Sequence, residues 1–254
     1  MQASSSLPPQ QLALSDLAIA LRRGWETLRH LPGSSLAFSG LFVAIGLALL
    51  YLIETMRVAP MALPLAIGFL LVAPILLIGF FSLIRAWEQG QTPSFYQAFM
   101  GMIQAPGSLW TIGGICLFLF LIWISDAAVL YAFMIGANPL PYEAPLLIPL
   151  KPSVIPFLFW SSLMGLALSF ALFIIAGFSI PLLYEGRLSL VAAISASVRA
   201  VFKNLFVSLV WGCILAGITL VSILCLPLLF ITLPVLAYAS FFLYRRVFPP
   251  AETA

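Results

Sequence analysis

Histidine is almost missing from this chain: His30 is the single one among 254 residues. Bis-histidine haem, a haem-copper centre, histidine-based zinc sites and Ser-His-Asp catalysis within a membrane all need histidines at depth. Charge is scarce as well. Asp, Glu, Lys and Arg make up 7% of the residues, against about a quarter in soluble globular chains. Cys116, Cys213 and Cys225 each stand alone inside apolar runs, which removes metal-spaced pairs and reads as small buried thiols. No glycine-rich phosphate loop with a lysine follows a strand. The net charge of +3 is spread over several loops, which argues against a nucleic-acid face. The opening MQASSSLPPQ lacks the basic and apolar regions of a cleaved signal, so the first spanning helix is expected to act as the insertion signal.

What fills the chain is hydrocarbon. Hydrophobic residues make up 63% of the sequence, and the mean hydropathy is +1.16. The apolar runs are about 20 residues long, enough to cross a ~30 Å hydrocarbon core at ~1.5 Å per residue. They lack the short alternating segments of a membrane barrel. The expected fold is an all-α integral membrane protein with six transmembrane helices, at about 36–53, 62–84, 109–133, 157–184, 205–223 and 228–244. The last two come from one apolar stretch between Leu205 and Tyr244, too long for a single crossing, with Pro227 marking a tight hairpin.

Three amphipathic segments precede pairs of these spans, at about 13–31, 93–104 and 188–203. In the first, Leu14, Leu17, Ala18, Leu21, Trp25 and Leu28 follow helical spacing. The second is expected to start with Thr92 as cap and Pro93 at its first position, with Phe95, Ala98, Phe99 and Met102 as its stripe. The third places Val191, Ala192, Val198, Val201, Phe202 and Leu205 near one face. Surface helix, span, outer loop, span and inner turn therefore recur three times, as three helical hairpins. Residues 1–12 read as a disordered lead and 13–248 as a single membrane domain. The loop 138–156 carries six prolines among Leu and Ile, which favours extended backbone lying on the bilayer or on protein.

Orientation follows from the basic residues. With the N-terminus inside, Arg22, Arg23, Arg29, Arg85, Arg187, Arg199, Lys203, Arg245 and Arg246 fall on the inner side and only Arg57 and Lys151 outside. Both termini are expected to be cytoplasmic. The first seven of those inner cations are candidate contacts for lipid headgroups; helix termination and ion pairing with Glu88 and Glu185 account for Arg85 and Arg187 without any ligand.

Small residues recur at four-residue spacing in Gly40, Ala44 and Ala48, in Ser161, Gly165 and Ser169, and in Ser208, Gly212 and Ala216. These stripes read first as packing within the chain and second as a homo-oligomer interface. Asp126 is the acidic residue deepest in a span, with Ser125 and Tyr131 beside it as a candidate polar intramembrane site. About 17 residues up a helix that starts inside, it lies near the outer boundary, where pairing or solvation outweighs a transport role. No residue pattern points to a catalytic group, cofactor or metal.

The strings LRRGWETLRHLP, GFLLVAPILLIGFFSLIRAWEQG and SIPLLYEGRLSLVAAISASVRAVFKN resemble a bacterial family of integral membrane proteins catalogued as domain of unknown function 2189, over about residues 13–248. The resemblance implies a six-span inner-membrane protein and no established activity. Some relatives carry a cytochrome c oxidase label; the single histidine rules out the catalytic subunit of such an oxidase and leaves an accessory or assembly role. The leading expectation is a non-enzymatic protein that supports a larger membrane complex, with membrane lipids and other membrane proteins as partners. The alternative is a small transporter or lipid-handling protein.

Overall fold

The computed structural model describes residues 7–56, 61–136 and 154–250, without the side chains of 70 and 73–75. Arg57, Lys151 and most of the proline-rich loop lie outside the described residues. Those residues form ten α-helices, α1 Leu14–His30, α2 Pro32–Thr55, α3 Ala62–Glu88, α4 Phe95–Ile103, α5 Gly107–Met134, α6 Ile155–Ala176, α7 Ser179–Tyr184, α8 Leu190–Lys203, α9 Leu205–Leu224 and α10 Leu229–Val247. Five segments are long and apolar enough to cross a membrane: Pro32–Thr55, Gly107–Met134, Ile155–Tyr184, Leu205–Leu224 and Leu226–Val247. The protein is a multi-pass integral membrane protein.

Two helices organise the bundle. α3 packs against α4, α5 and α6, while α10 packs against α1, α2, α3 and α9. Between them lies an aromatic seam. Phe80 meets Phe38 edge-on at 4.9 Å and Tyr238 at 5.8 Å, and Phe81 lies 4.9 Å from Phe241. The Tyr238 hydroxyl would be costly at this depth without a partner; it shares a 2.6 Å hydrogen bond with Ser35 Oγ of α2. Trp123 of α5 likewise donates its indole N–H to the Pro64 carbonyl of α3 at 2.9 Å.

Glycine sets the closest approaches. A Cβ on Gly24 of α1 would come within 2.5 Å of the Val235 carbonyl oxygen and 3.0 Å of the Ala239 nitrogen, so α1 and α10 meet backbone to backbone. The buried face of α1 is Leu17, Ala20, Gly24, Thr27 and Leu28. That differs from the stripe read in the sequence, since Leu14 and Trp25 are exposed. α8 differs in the same way: Ala193, Ala196, Ser197, Ala200 and Val201 are buried, while Val191 and Phe202 face outward. Small side chains let helices approach closely, and a lipid surround gives bulky apolar residues no reason to turn inward.

Local starts and stops also depart from expectation. α4 is capped by Ser94, whose hydroxyl accepts from Gln97 N–H while the Gln97 side chain bonds back to the Ser94 N–H; Thr92 and Pro93 precede the helix. The span 157–184 is two helices, broken at Gly177 and Phe178. Ser197 of α8 mends the break: its hydroxyl donates to Ile174 O at 2.8 Å and accepts from Phe178 N–H at 3.2 Å. The end of the supposed lead is held as well. Gln10 N–H donates to Val247 O, and Asn204 clasps the same segment through Leu12 N–H and Gln10 O.

Candidate functional site

The two inner turns read as repeats are built alike. Gly90 and Gly186 both adopt left-handed backbone, with φ of 72° and 67°. At the first, Gln91 N–H reaches back to Ala86 O and Gly90 N–H to Trp87 O. At the second, Arg187 N–H reaches Leu182 O and Gly186 N–H reaches Leu183 O. Each is the glycine-terminated helix end that satisfies the last carbonyls.

Arg245, near the end of α10, joins both turns. Its guanidinium forms a two-pronged pair with Glu88, with Nη2 2.9 Å from Oε2, and also bonds Glu185 Oε1 through Nη2 at 3.1 Å and Nε at 3.2 Å. Tyr244 donates to the other Glu185 oxygen at 2.7 Å and accepts from Arg187 at 3.0 Å. Arg187 also donates to the carbonyls of Phe248 and Pro249 at 2.6 and 2.7 Å. The ends of α3, α7 and α10 thus converge on one charged junction. Arg245, Tyr244 and their convergence were not legible as a site in the sequence; the surplus of basic residues after the last span was the only signal.

Arg85 completes the group differently. It is exposed, with its Cζ 5.8 Å from the centre of the Tyr184 ring, and makes no ion pair among the described residues. It borders a polar depression together with Glu88, Gln89, Glu185, Arg187, Arg245 and Pro250.

Residues 61–185, from the start of α3 to the end of α7, match a family model described as "Predicted integral membrane protein (DUF2189)". Over that stretch the chain is similar to the family. The matched stretch contains the first glycine turn and both carboxylates, Glu88 and Glu185, and stops short of Gly186 and Arg245. No curated protein and no solved structure matches the chain.

Toward the interior from the junction, an apolar cavity of about 360 Å³ opens among α3, α6, α7, α9 and α10. Phe81, Pro181 and Leu243 line it on the side of the junction, and Phe69, Leu166 and Thr219 line it elsewhere. The helix break at Gly177 and Phe178 forms part of its wall. Irregular backbone at membrane depth is tolerated where it is buried in protein or lines a cavity. Leu166, Leu209 and Cys213 line the cavity and are exposed, so it opens sideways between α6 and α9. Ser169 and Ser240 also line it, and their hydroxyl oxygens are buried with no partner among the described residues.

The small-residue stripes divide. Gly40 packs under Phe230, whereas Ala44 and Ala48 are exposed; the tighter contact of α2 is Gly46 against Leu226. Ser161 and Gly165 are buried, with Gly165 against Ile67 and Trp123, and Ser169 faces the cavity. Ser208 is buried, but Gly212 and Ala216 line the cavity, and nothing lies within 4 Å of a Cβ on Gly212.

The other candidates are scattered. Ser125 donates to Leu121 O of its own helix, Asp126 is half-buried with no ion pair among the described residues, and Tyr131 packs edge-on to Phe157. None of the three lines the cavity. Arg22 pairs with Glu26, Arg23 lies over Phe242, Arg29 over Trp25, and Lys203 donates to Pro9 O. Arg199 is exposed. Among the described residues no group of His, Cys, Asp and Glu could hold a metal ion.

Proposed function

We propose that this protein is a six-span, non-enzymatic protein of a bacterial inner membrane that handles lipid, holding a hydrocarbon chain in the cavity between α6 and α9. α3 serves as the sixth span: it is 27 residues long with two charges, both in its last turn. The amphipathic helices α1, α4 and α8 sit at the cytoplasmic face with both termini, as the distribution of Lys and Arg requires.

The observation that carries the lipid reading is the cavity's shape and lining. It is apolar, it opens sideways toward where lipid tails would lie, and its volume is near the lower end of ligand sites, roughly 300–1,000 Å³. This inverts the order expected from sequence, in which support of a larger membrane complex led. That second reading keeps the outward apolar faces of α5 and α9 in its favour, where Phe118, Phe133 and Phe206 are exposed. Such faces suit a neighbouring protein and bulk lipid equally.

Native mass spectrometry of the protein released from mild detergent tests the proposal. Bound lipid is expected on the wild-type protein and absent from an Ala216→Phe variant, whose ring fills the cavity. Equal lipid retention by a folded Ala216→Phe protein refutes the cavity as the site. Recovery of a stoichiometric membrane-protein partner with no retained lipid favours the accessory role. Cysteine labelling from either side of sealed vesicles checks the six crossings.

A further inference from the structure

We propose that the occupant is one acyl chain of an anionic phospholipid from the surrounding bilayer, with its phosphate held by Arg85. This rests on the lipid reading above and adds the selection of charge.

The geometry follows from helical spacing. Phe81 of α3 and Ile180 of α7 line the cavity at the end toward the charged junction. Four residues further along the same helices stand Arg85 and Tyr184, on the same face and about 6 Å beyond. A chain lying in the cavity therefore brings its headgroup to the Arg85 guanidinium, which rests over the Tyr184 ring.

Charge at the junction decides what that headgroup is. Three arginines face two glutamates there. Arg245 pairs with Glu88 and Glu185, and Arg187, which donates to Tyr244 and two backbone carbonyls, also stands 3.9 Å from Glu185, so these two cations balance the two carboxylates. The remaining positive charge is carried by Arg85, which is exposed and stands one helical turn beyond Phe81 of the cavity lining. Glu88 and Glu185 are already neutralised, so they do not repel an incoming phosphate as bare carboxylates would. An anionic headgroup gains at Arg85 what a zwitterionic one largely cancels. The volume admits one chain; the second stays in the bilayer through the opening between Leu166 and Leu209.

Trp211 offers a reporter, because it lines the cavity and is itself buried. The full chain is reconstituted in phosphatidylcholine bilayers containing increasing fractions of phosphatidylglycerol or phosphatidylcholine with brominated acyl chains. Trp211 quenching is the difference between the protein and its Trp211→Phe variant at each composition. Brominated phosphatidylglycerol is expected to reach half-quenching at about a fivefold lower mole fraction than brominated phosphatidylcholine. In Arg85→Gln the two curves should coincide, with quenching itself retained. Equal curves in the wild-type protein overturn the anionic assignment and leave the cavity reading standing. Absence of Trp211 quenching by either lipid overturns both. A preference that survives in Arg85→Gln overturns the role of Arg85.

Discussion

Arg245 grips Glu88 across 157 positions of sequence, with Nη2 2.9 Å from Oε2, while the same guanidinium holds Glu185. One side chain of α10 thereby fixes two glycine turns, one after α3 and one after α7. Glu185 is the more enclosed carboxylate, with 16% of its side chain exposed against 36% for Glu88. Removing the shared cation leaves both without it. Arg245→Ala is expected to lower stability by about 2 kcal/mol, and Glu185→Gln to cost more than Glu88→Gln. Thermal unfolding of the purified variants in one detergent reads all three.

The contact between α1 and α10 makes a sharper forecast, because the obstacle at Gly24 is backbone. Gly24→Ala is expected to destabilise by about 1–3 kcal/mol. Gly33→Ala meets nothing within 4 Å and should unfold like the wild-type protein in the same assay. Equal behaviour of the two would refute the close crossing.

Gly90 and Gly186 are open in space, so any cost of a side chain there comes from the backbone alone. Alanine at either position is expected to cost about 1–2 kcal/mol through the left-handed conformation, with the same cost at both turns. Chemical unfolding in mixed micelles would compare them directly.

Ser35 and Tyr238 form a pair suited to a double-mutant cycle. Ser35→Ala or Tyr238→Phe alone leaves a buried hydroxyl or its partner unsatisfied, at about 1–3 kcal/mol. The double variant should lose less than the sum. A strictly additive result would mean that the hydrogen bond contributes nothing.

Asp126 is expected to be silent. Asp126→Asn should keep stability within about 0.5 kcal/mol of wild type and leave lipid retention unchanged. Loss of a measured ion or solute flux in reconstituted vesicles would instead mark it as a transport site.

The long helices were legible because their apolar runs match the bilayer, and the turn at Gly90 because glycine follows a charged helix end. What stayed hidden has a common cause. In a lipid surround, hydrophobicity does not separate the face that meets protein from the face that meets hydrocarbon. Hence Leu14 and Trp25 marked the wrong side of α1, while Ala20 and Gly24 made its contact. The break at Gly177 stayed hidden because the apolar run continues through it, and Pro181 falls in the first turn of α7, where its missing N–H costs little. The junction needed tertiary convergence, since nothing near Glu88 or Glu185 in sequence announces Arg245.

The clasp of Gln10 by Val247 and Asn204 has a bearing on how the protein is made. α1 is translated first among the described helices, yet its seat is α10, the last of them. Until α10 is made, α1 lacks its main seat and the carboxylates of both glycine turns lack their arginine. A chain ending before Arg245 would therefore leave Glu88 and Glu185 without the cation that joins their two turns.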